Sequence, residues 1–130
     1  MRVLQPEGWS RPKGYANGIE ATGRTVFVAG QVGWDKDQRF TAKDFAGQFE
    51  QALGNILAVL KEAGARPEHI VRLTWFVTDK RAYLAQAAEV GAAYRRLMGR
   101  HYPAMSVVQV SALMEDEALV EIEATAVVGE

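Results

Sequence analysis

No cysteine occurs among the 130 residues, which excludes a disulfide framework, a thiol nucleophile, a redox pair and a thiolate metal site. Histidine is nearly as scarce. His69 and His101 are the only two and stand 32 positions apart, so there is no compact imidazole metal motif and no metal site is expected. An excess of positive charge is also missing: 15 Lys and Arg against 16 Asp and Glu leave a formal net charge of −1. Counterion-releasing binding to a polyanion needs a basic surplus, so nucleic acid is not an expected partner. Apolar runs stop far short of a membrane span, and the opening Met1-Arg2-Val3-Leu4-Gln5-Pro6-Glu7 lacks the apolar centre of a signal peptide. The expectation is a soluble, cytoplasmic protein without a membrane partner. No P-loop, dinucleotide fingerprint, internal repeat or low-complexity stretch is present.

What is present is a chain 48% hydrophobic, long enough to bury a core as a single domain over 1–130. Pro6, Gly8, Pro12 and Gly14 among polar residues predict an irregular N-terminal arm over 1–17. Gly18–Thr22 and Thr25–Gln31 flank Gly23-Arg24 and read as a β-hairpin. Thr41 and Asp44 resemble a capping box, after which Phe45, Phe49, Leu53, Ile56 and Leu60 recur at helical spacing until Gly64, the expected left-handed cap before Pro67. Ile70–Thr78 is β-branched and aromatic, hence a strand. Arg81–Gly99 supplies a second helix. Met105–Val110 and Leu119–Val128 are two further strands, separated by the charged Glu115-Asp116-Glu117 turn. The order ββαβαββ predicts an α+β fold, one mixed sheet with two helices on one face.

The last strand places Val120, Ile122, Ala124 and Ala126 on one side and Glu121, Glu123, Thr125 and Val127 on the other. In the strands holding Val26–Ala29 and Leu73–Val77 neither side is polar, since Phe27 and Ala29 oppose Val26 and Val28, and Phe76 opposes Leu73, Trp75 and Val77. Two helices cover one face only. The other calls for copies of the chain, so a homo-oligomer is expected.

Several blocks carry a resemblance in order along nearly the whole chain. They are Gly14-Tyr15, Val28-Ala29-Gly30-Gln31, Ala63-Gly64-Ala65, Ile70 through Asp79, Tyr102 through Val110 and Leu119 through Val127. Together they resemble the YjgF/RidA family of reactive imine and enamine deaminases, also called endoribonuclease L-PSP. The resemblance implies a chorismate-mutase-like fold, a homotrimer with a small-molecule cleft at each subunit interface, and hydrolysis of short 2-imino or 2-enamino acids without metal or organic cofactor.

Such hydrolysis needs a cation for the carboxylate, a group orienting water or the imine nitrogen, and a carboxyl that moves a proton. In the family an arginine follows a Pro-Ala pair and clamps the carboxylate. Here Pro103-Ala104 is followed by Met105. A thioether supplies no charge, and the lost interaction is worth roughly 2–5 kcal/mol in a desolvated site. The family's small hydroxyl residue before the strand glycine is Ala29, and its second-helix asparagine aligns with Gly91. Tyr15, Gly30, Gln31 and Glu121 match the family pattern. The resemblance therefore implies Glu121 as the catalytic proton shuttle and Tyr15, Ala29, Gly30, Gln31, Gly91, Ala104 and Met105 as the substrate-binding set of a divergent subgroup.

Each of these residues also has a purely structural reading: Glu121 as an interface ion-pair partner, Tyr15 as a cap of the arm, Gly30 for close strand packing, Gln31 for backbone satisfaction and Met105 as a core filler. Trp34 is either an aromatic wall beside Met105 and Ala29, which would favour a flat apolar ligand, or a cover for the hairpin end. His101 is either a surface histidine or a replacement proton carrier. Arg95, Arg96, Arg100 and His101, interleaved with Tyr94 and Tyr102, form the one basic cluster, which reads as a solvated helix end. The expected function is small-molecule binding, and if catalytic, deamination of a non-standard imine or enamine. A non-enzymatic ligand-binding or chaperone-like module is the alternative, and RNA binding or cleavage a distant one.

Overall fold

Asp44 begins the longest helix, α1 (Phe45–Glu62): its extended backbone turns the chain inward and its carboxylate accepts the Gly47 N–H at 3.3 Å. The cap is thus Asp44 itself and not a box opened by Thr41. At the other end Ala65 N–H reaches the Leu60 carbonyl and Gly64 N–H the Lys61 carbonyl, both at 3.0 Å, with Gly64 at φ +70°. That is the Schellman closure expected of this glycine. The computed structural model describes residues 1–129.

Among these, β1 (Arg2–Leu4), β2 (Gly18–Glu20) and β3 (Arg24–Val32) precede α1, and β4 (Ile70–Val77) follows it after a 3₁₀ turn at Pro67–His69. Then come α2 (Lys80–Ala85), α3 (Ala87–Met98), β5 (Ala104–Gln109) and β6 (Val120–Val128). The order is βββαβααββ, where ββαβαββ was expected. The four-stranded sheet runs β3-β6-β4-β5, with β4 and β5 parallel and the other pairs antiparallel, so it is mixed as expected.

Three expectations are corrected. The hairpin between β2 and β3 does not form: β2 pairs with β1 in a separate two-stranded sheet, and β3 pairs with β6. Gly23, at φ +151°, turns the chain so closely against the Val128 carbonyl that a side chain there would collide with backbone, which delivers β3 onto β6. The arm is accordingly not irregular throughout, because Arg2–Leu4 is a strand. The second helix is broken at Gln86, whose side chain accepts the Ala46 N–H at 2.8 Å and donates to Asp44 at 3.0 Å. The break thus coincides with a clamp on the start of α1.

α1 and α3 lie on one face of the sheet. Phe49, Leu53, Ile56 and Leu60 pack there against Val28, Leu73, Trp75, Val77, Ile122, Ala124 and Ala126. Gln48 is the one buried polar side chain of this core among the described residues. It donates to the carbonyls of Ala42 and Glu117 and accepts the Leu119 N–H at 2.8 Å, fastening α1 to the approach of β6. The opposite face is open and mixed. Phe27, Ala29 and Phe76 share it with Arg72, Thr74, Glu121, Glu123 and Thr125, so it is less apolar than the strand alternation alone implied.

Candidate functional site

The expected site residues fall into two groups on opposite sides of the sheet. The first lies on the open face, where β3 gains one residue against β6: Val28 sits opposite Ala124 but Gln31 opposite Ile122. Ala29 and Gly30 occupy this bulge, a device that re-aims side chains at the end of a ladder. Gln31 bends back and donates from Nε2 to the Ala29 carbonyl at 3.1 Å. Beside it the Glu121 carboxylate occupies the space that a Cβ on residue 30 would fill. Only glycine leaves that carboxylate in place. Among the described residues Glu121 makes no ion pair and no side-chain hydrogen bond.

The second group lies on the helix side. Met105 is paired with Leu73 and therefore points the same way as Trp75, towards α3. There it lines a cavity of about 170 Å³ with Gly91, Tyr94 and Arg95 of α3, Trp75, Tyr83, Tyr102 and Gly14. Gly14, at φ +78°, lets the arm turn at this rim. Tyr15, exposed, stands in the adjoining recess formed by Val3, Arg11 and Pro12, and Tyr102 borders both spaces. Ala104 borders a groove on the open face instead, with Ala16–Ile19, Phe27 and Arg72, and Met105 adjoins it as well.

Within one chain, then, Glu121 and the Met105 side chain do not meet. Nor does Trp34 join either group: it packs on Phe40 with ring centroids 5.8 Å apart, and its carbonyl accepts Asn55 Nδ2 at 2.8 Å. The pocket of Trp34, Met105 and Ala29 is not formed by a single protomer. His101 is tied down, its Nε2 2.6 Å from the Ile70 carbonyl and its own carbonyl receiving the Tyr94 hydroxyl at 2.7 Å. A carbonyl can only accept, so Nε2 carries the proton and this histidine holds β4 to the start of β5. The basic cluster is also divided, since Arg96 pairs with Glu50 at 2.9 Å.

Of the cavity residues, Trp75, Tyr83, Ala87 and Val90 are not site candidates in the sequence, and Arg95 and Tyr94 figure there only in the cluster read as a solvated helix end. One signal was available: Ala87, Gly91 and Arg95 are spaced i, i+4, i+8 and share a helix face, so a functional Gly91 implicates Arg95. Tyr94 and Tyr102 stack in parallel, centroids 5.1 Å apart and planes 7° apart. Burial, with a smaller contribution from Tyr102, pushes the Tyr94 phenol above its ordinary pKa of 10.0. No cluster of three His, Asp or Glu residues able to hold a metal exists among the described residues. No helix there is long and apolar enough to cross a membrane.

This arrangement of bulge, carboxylate and helix-side cavity can be set against known proteins. The sequence profile of the family described as endoribonuclease L-PSP matches residues 10–128. The chain belongs to this family, the YjgF/RidA family. Within it, the RutC family protein UK114 of Drosophila melanogaster is 36% identical, over 98% of this chain and 90% of that protein. The 2-iminobutanoate/2-iminopropanoate deaminase of Salmonella typhimurium is 35% identical over 87% of this chain and 86% of that one. Among solved YjgF/RidA structures, the Rid protein YyfB of Yersinia pestis superposes with a TM-score of 0.86 at 35% identity, covering 98% of both chains. The YjgF gene product of Escherichia coli gives 0.68 at 34% identity, covering 87% of both.

Proposed function

We propose that this chain is a RidA-type small-molecule-binding protein that assembles as a homotrimer of single-domain subunits and hydrolyses a non-standard imine or enamine. The observation carrying the reading is the placement of Glu121: a carboxylate without an ion partner among the described residues, held over Gly30 on a sheet face that its own helices leave uncovered. A cleft uniting Glu121 and Gly30 with Gly91 and the Met105 side chain requires two copies of the chain. The named activity of the Salmonella and Escherichia coli relatives supplies the reaction class.

In that reaction water adds to the C=N carbon, and Glu121 takes the proton released and returns it to nitrogen. In the second step Glu121 carries the carbinolamine's hydroxyl proton to the amino nitrogen, the C–N bond breaks, and C=O forms as ammonia leaves. No cofactor enters the balance. Met105 in place of a β5 arginine deprives a small imino acid of its clamp, which is why the substrate is assigned outside the 2-iminobutanoate class.

The test generates 2-iminobutanoate and 2-iminopropanoate in situ with an amino-acid oxidase and follows keto-acid release. The expected result is little acceleration by the natural chain, at least about tenfold more in Met105→Arg, and loss of that gain when Glu121→Ala is added. No protein-dependent rate in Met105→Arg overturns the deaminase reading and favours the alternative, a non-enzymatic binding module. A nucleic-acid role has less support, because Arg96 is already engaged by Glu50.

A further inference from the structure

The cavity behind Met105 is small and largely aromatic, with one guanidinium-bearing residue in its lining. Its volume of about 170 Å³ is close to that of an engineered apolar cavity of ~150 Å³ that admits benzene, so it has room for a six-membered ring. Trp75, Tyr83, Tyr94 and Tyr102 give it flat walls. At the solvent side stands Arg95, which among the described residues makes no ion pair, although the neighbouring Arg96 does. Its guanidinium lies 3.4 Å from where a Cβ on residue 91 would sit, so it packs alongside Gly91 one helical turn earlier. Trp75, one of the lining residues, is 4% exposed, and its indole Nε1–H is the one buried side-chain polar atom without a hydrogen-bond partner among the described residues.

A buried donor left unmade is costly and signals a missing acceptor. Water would serve only by entering an aromatic space with few polar partners. A ligand carrying an anion for Arg95 and an acceptor atom for Trp75 satisfies both groups at once.

We propose that Arg95 on α3 replaces the absent β5 cation and that, with Trp75 Nε1–H, it selects a planar single-ring carboxylate bearing a ring acceptor atom. The assignment rests on the reading that the Met105 cavity belongs to the ligand cleft. It places the positive charge on a helix instead of a strand, and the ring where a β5 side chain longer than methionine would intrude. Arginine's planar fork suits the carboxylate, and the stacked tyrosines suit a flat ring.

Calorimetric titration of the full-length protein with nicotinate, benzoate and cyclohexanecarboxylate tests it. Nicotinate is expected to bind best, benzoate about 3- to 10-fold more weakly for want of the ring acceptor, and the puckered ring more weakly again. Arg95→Gln, an exposed change that spares the core, is expected to weaken both aryl acids by about tenfold or more. Trp75→Phe should erase the preference for nicotinate over benzoate. No heat with nicotinate at millimolar concentration, or equal binding by Arg95→Gln, overturns the assignment. If Met105→Arg hydrolyses 2-iminobutanoate while Arg95→Gln changes nothing, only the arginine assignment falls. If Arg95 governs nicotinate binding but no variant turns over an imine, the binding assignment stands and the deaminase reading falls.

Discussion

The two faces of the four-stranded sheet are built by opposite rules. On the helix side, Leu73, Trp75, Val77, Ile122 and Ala126 meet Phe49, Leu53, Ile56 and Leu60, and almost nothing there sees solvent. On the other side Phe27 is 79% exposed, flanked by Arg72, Thr74, Glu123 and Thr125. One face needs only shape and volume, and its own chain provides them. The other carries charge and an exposed aromatic ring together, a mixture that suits an interface and leaves room for the Glu121 carboxylate. The small cavity at Met105 is where the first rule fails locally: Ala87 and Gly91 are too small to fill the seam between α3 and the sheet.

The largest effect is expected on the covered face. Phe49→Ala removes a fully buried ring that packs on Trp75 with centroids 4.6 Å apart, and should cost about 3–5 kcal/mol in urea unfolding. The contrasting change, Phe27→Asp, should leave helical content intact while light scattering moves from the proposed trimer mass to a monomer mass. A variant that stays trimeric would mean the open face is not where copies meet. Smaller again is Gly30→Ala. Its Cβ would displace the end of a flexible side chain and not backbone, so stability should change by no more than about 1 kcal/mol. The Glu121 carboxylate has to move, so imine hydrolysis in the Met105→Arg background should fall by about tenfold or more with KM little changed. Equal rates would detach Gly30 and Glu121 from the chemistry.

How much of this was legible depends on the range of the signal. The end of α1 at Gly64 and the inward stripe of β6 were readable because each depends on a local period or one residue's backbone freedom. The pairing of β2 with β1 was not, since Gly23 between two short strands looks like a hairpin until the backbone of Val128 is known to lie against it. The break at Gln86 was hidden for the same reason: the partners that coincide with it, Ala46 and Asp44, are about forty residues away in sequence. Of the candidate site, the residues of the bulge and of Met105 could be named, but the sheet face of the Met105 side chain could not, because β5 alternates poorly: Ser106, Val107, Val108 and Gln109 are all exposed. Arg95 and Trp75 were passed over because one resembled a solvated helix end and the other a core aromatic.

The finest test asks whether the tyrosine wall of that cavity also serves the fold. Tyr94 is buried and donates to the His101 carbonyl at 2.7 Å. Tyr94→Phe keeps the ring stacked on Tyr102 and leaves that carbonyl short of a donor, so it should cost about 1 kcal/mol at neutral pH. The phenol's pKa lies above 10.0 in the folded chain, so folding disfavours the ionised form. The stabilisation tied to the neutral phenol is therefore complete below pH 10 and is lost as pH climbs past 10 toward the folded value. Unfolding free energies of the natural chain and of Tyr94→Phe should differ most at neutral pH and converge above pH 10. A gap that stays constant across this range would mean that Tyr94 is only a wall of the cavity, and that the stability assigned to its hydroxyl comes from elsewhere.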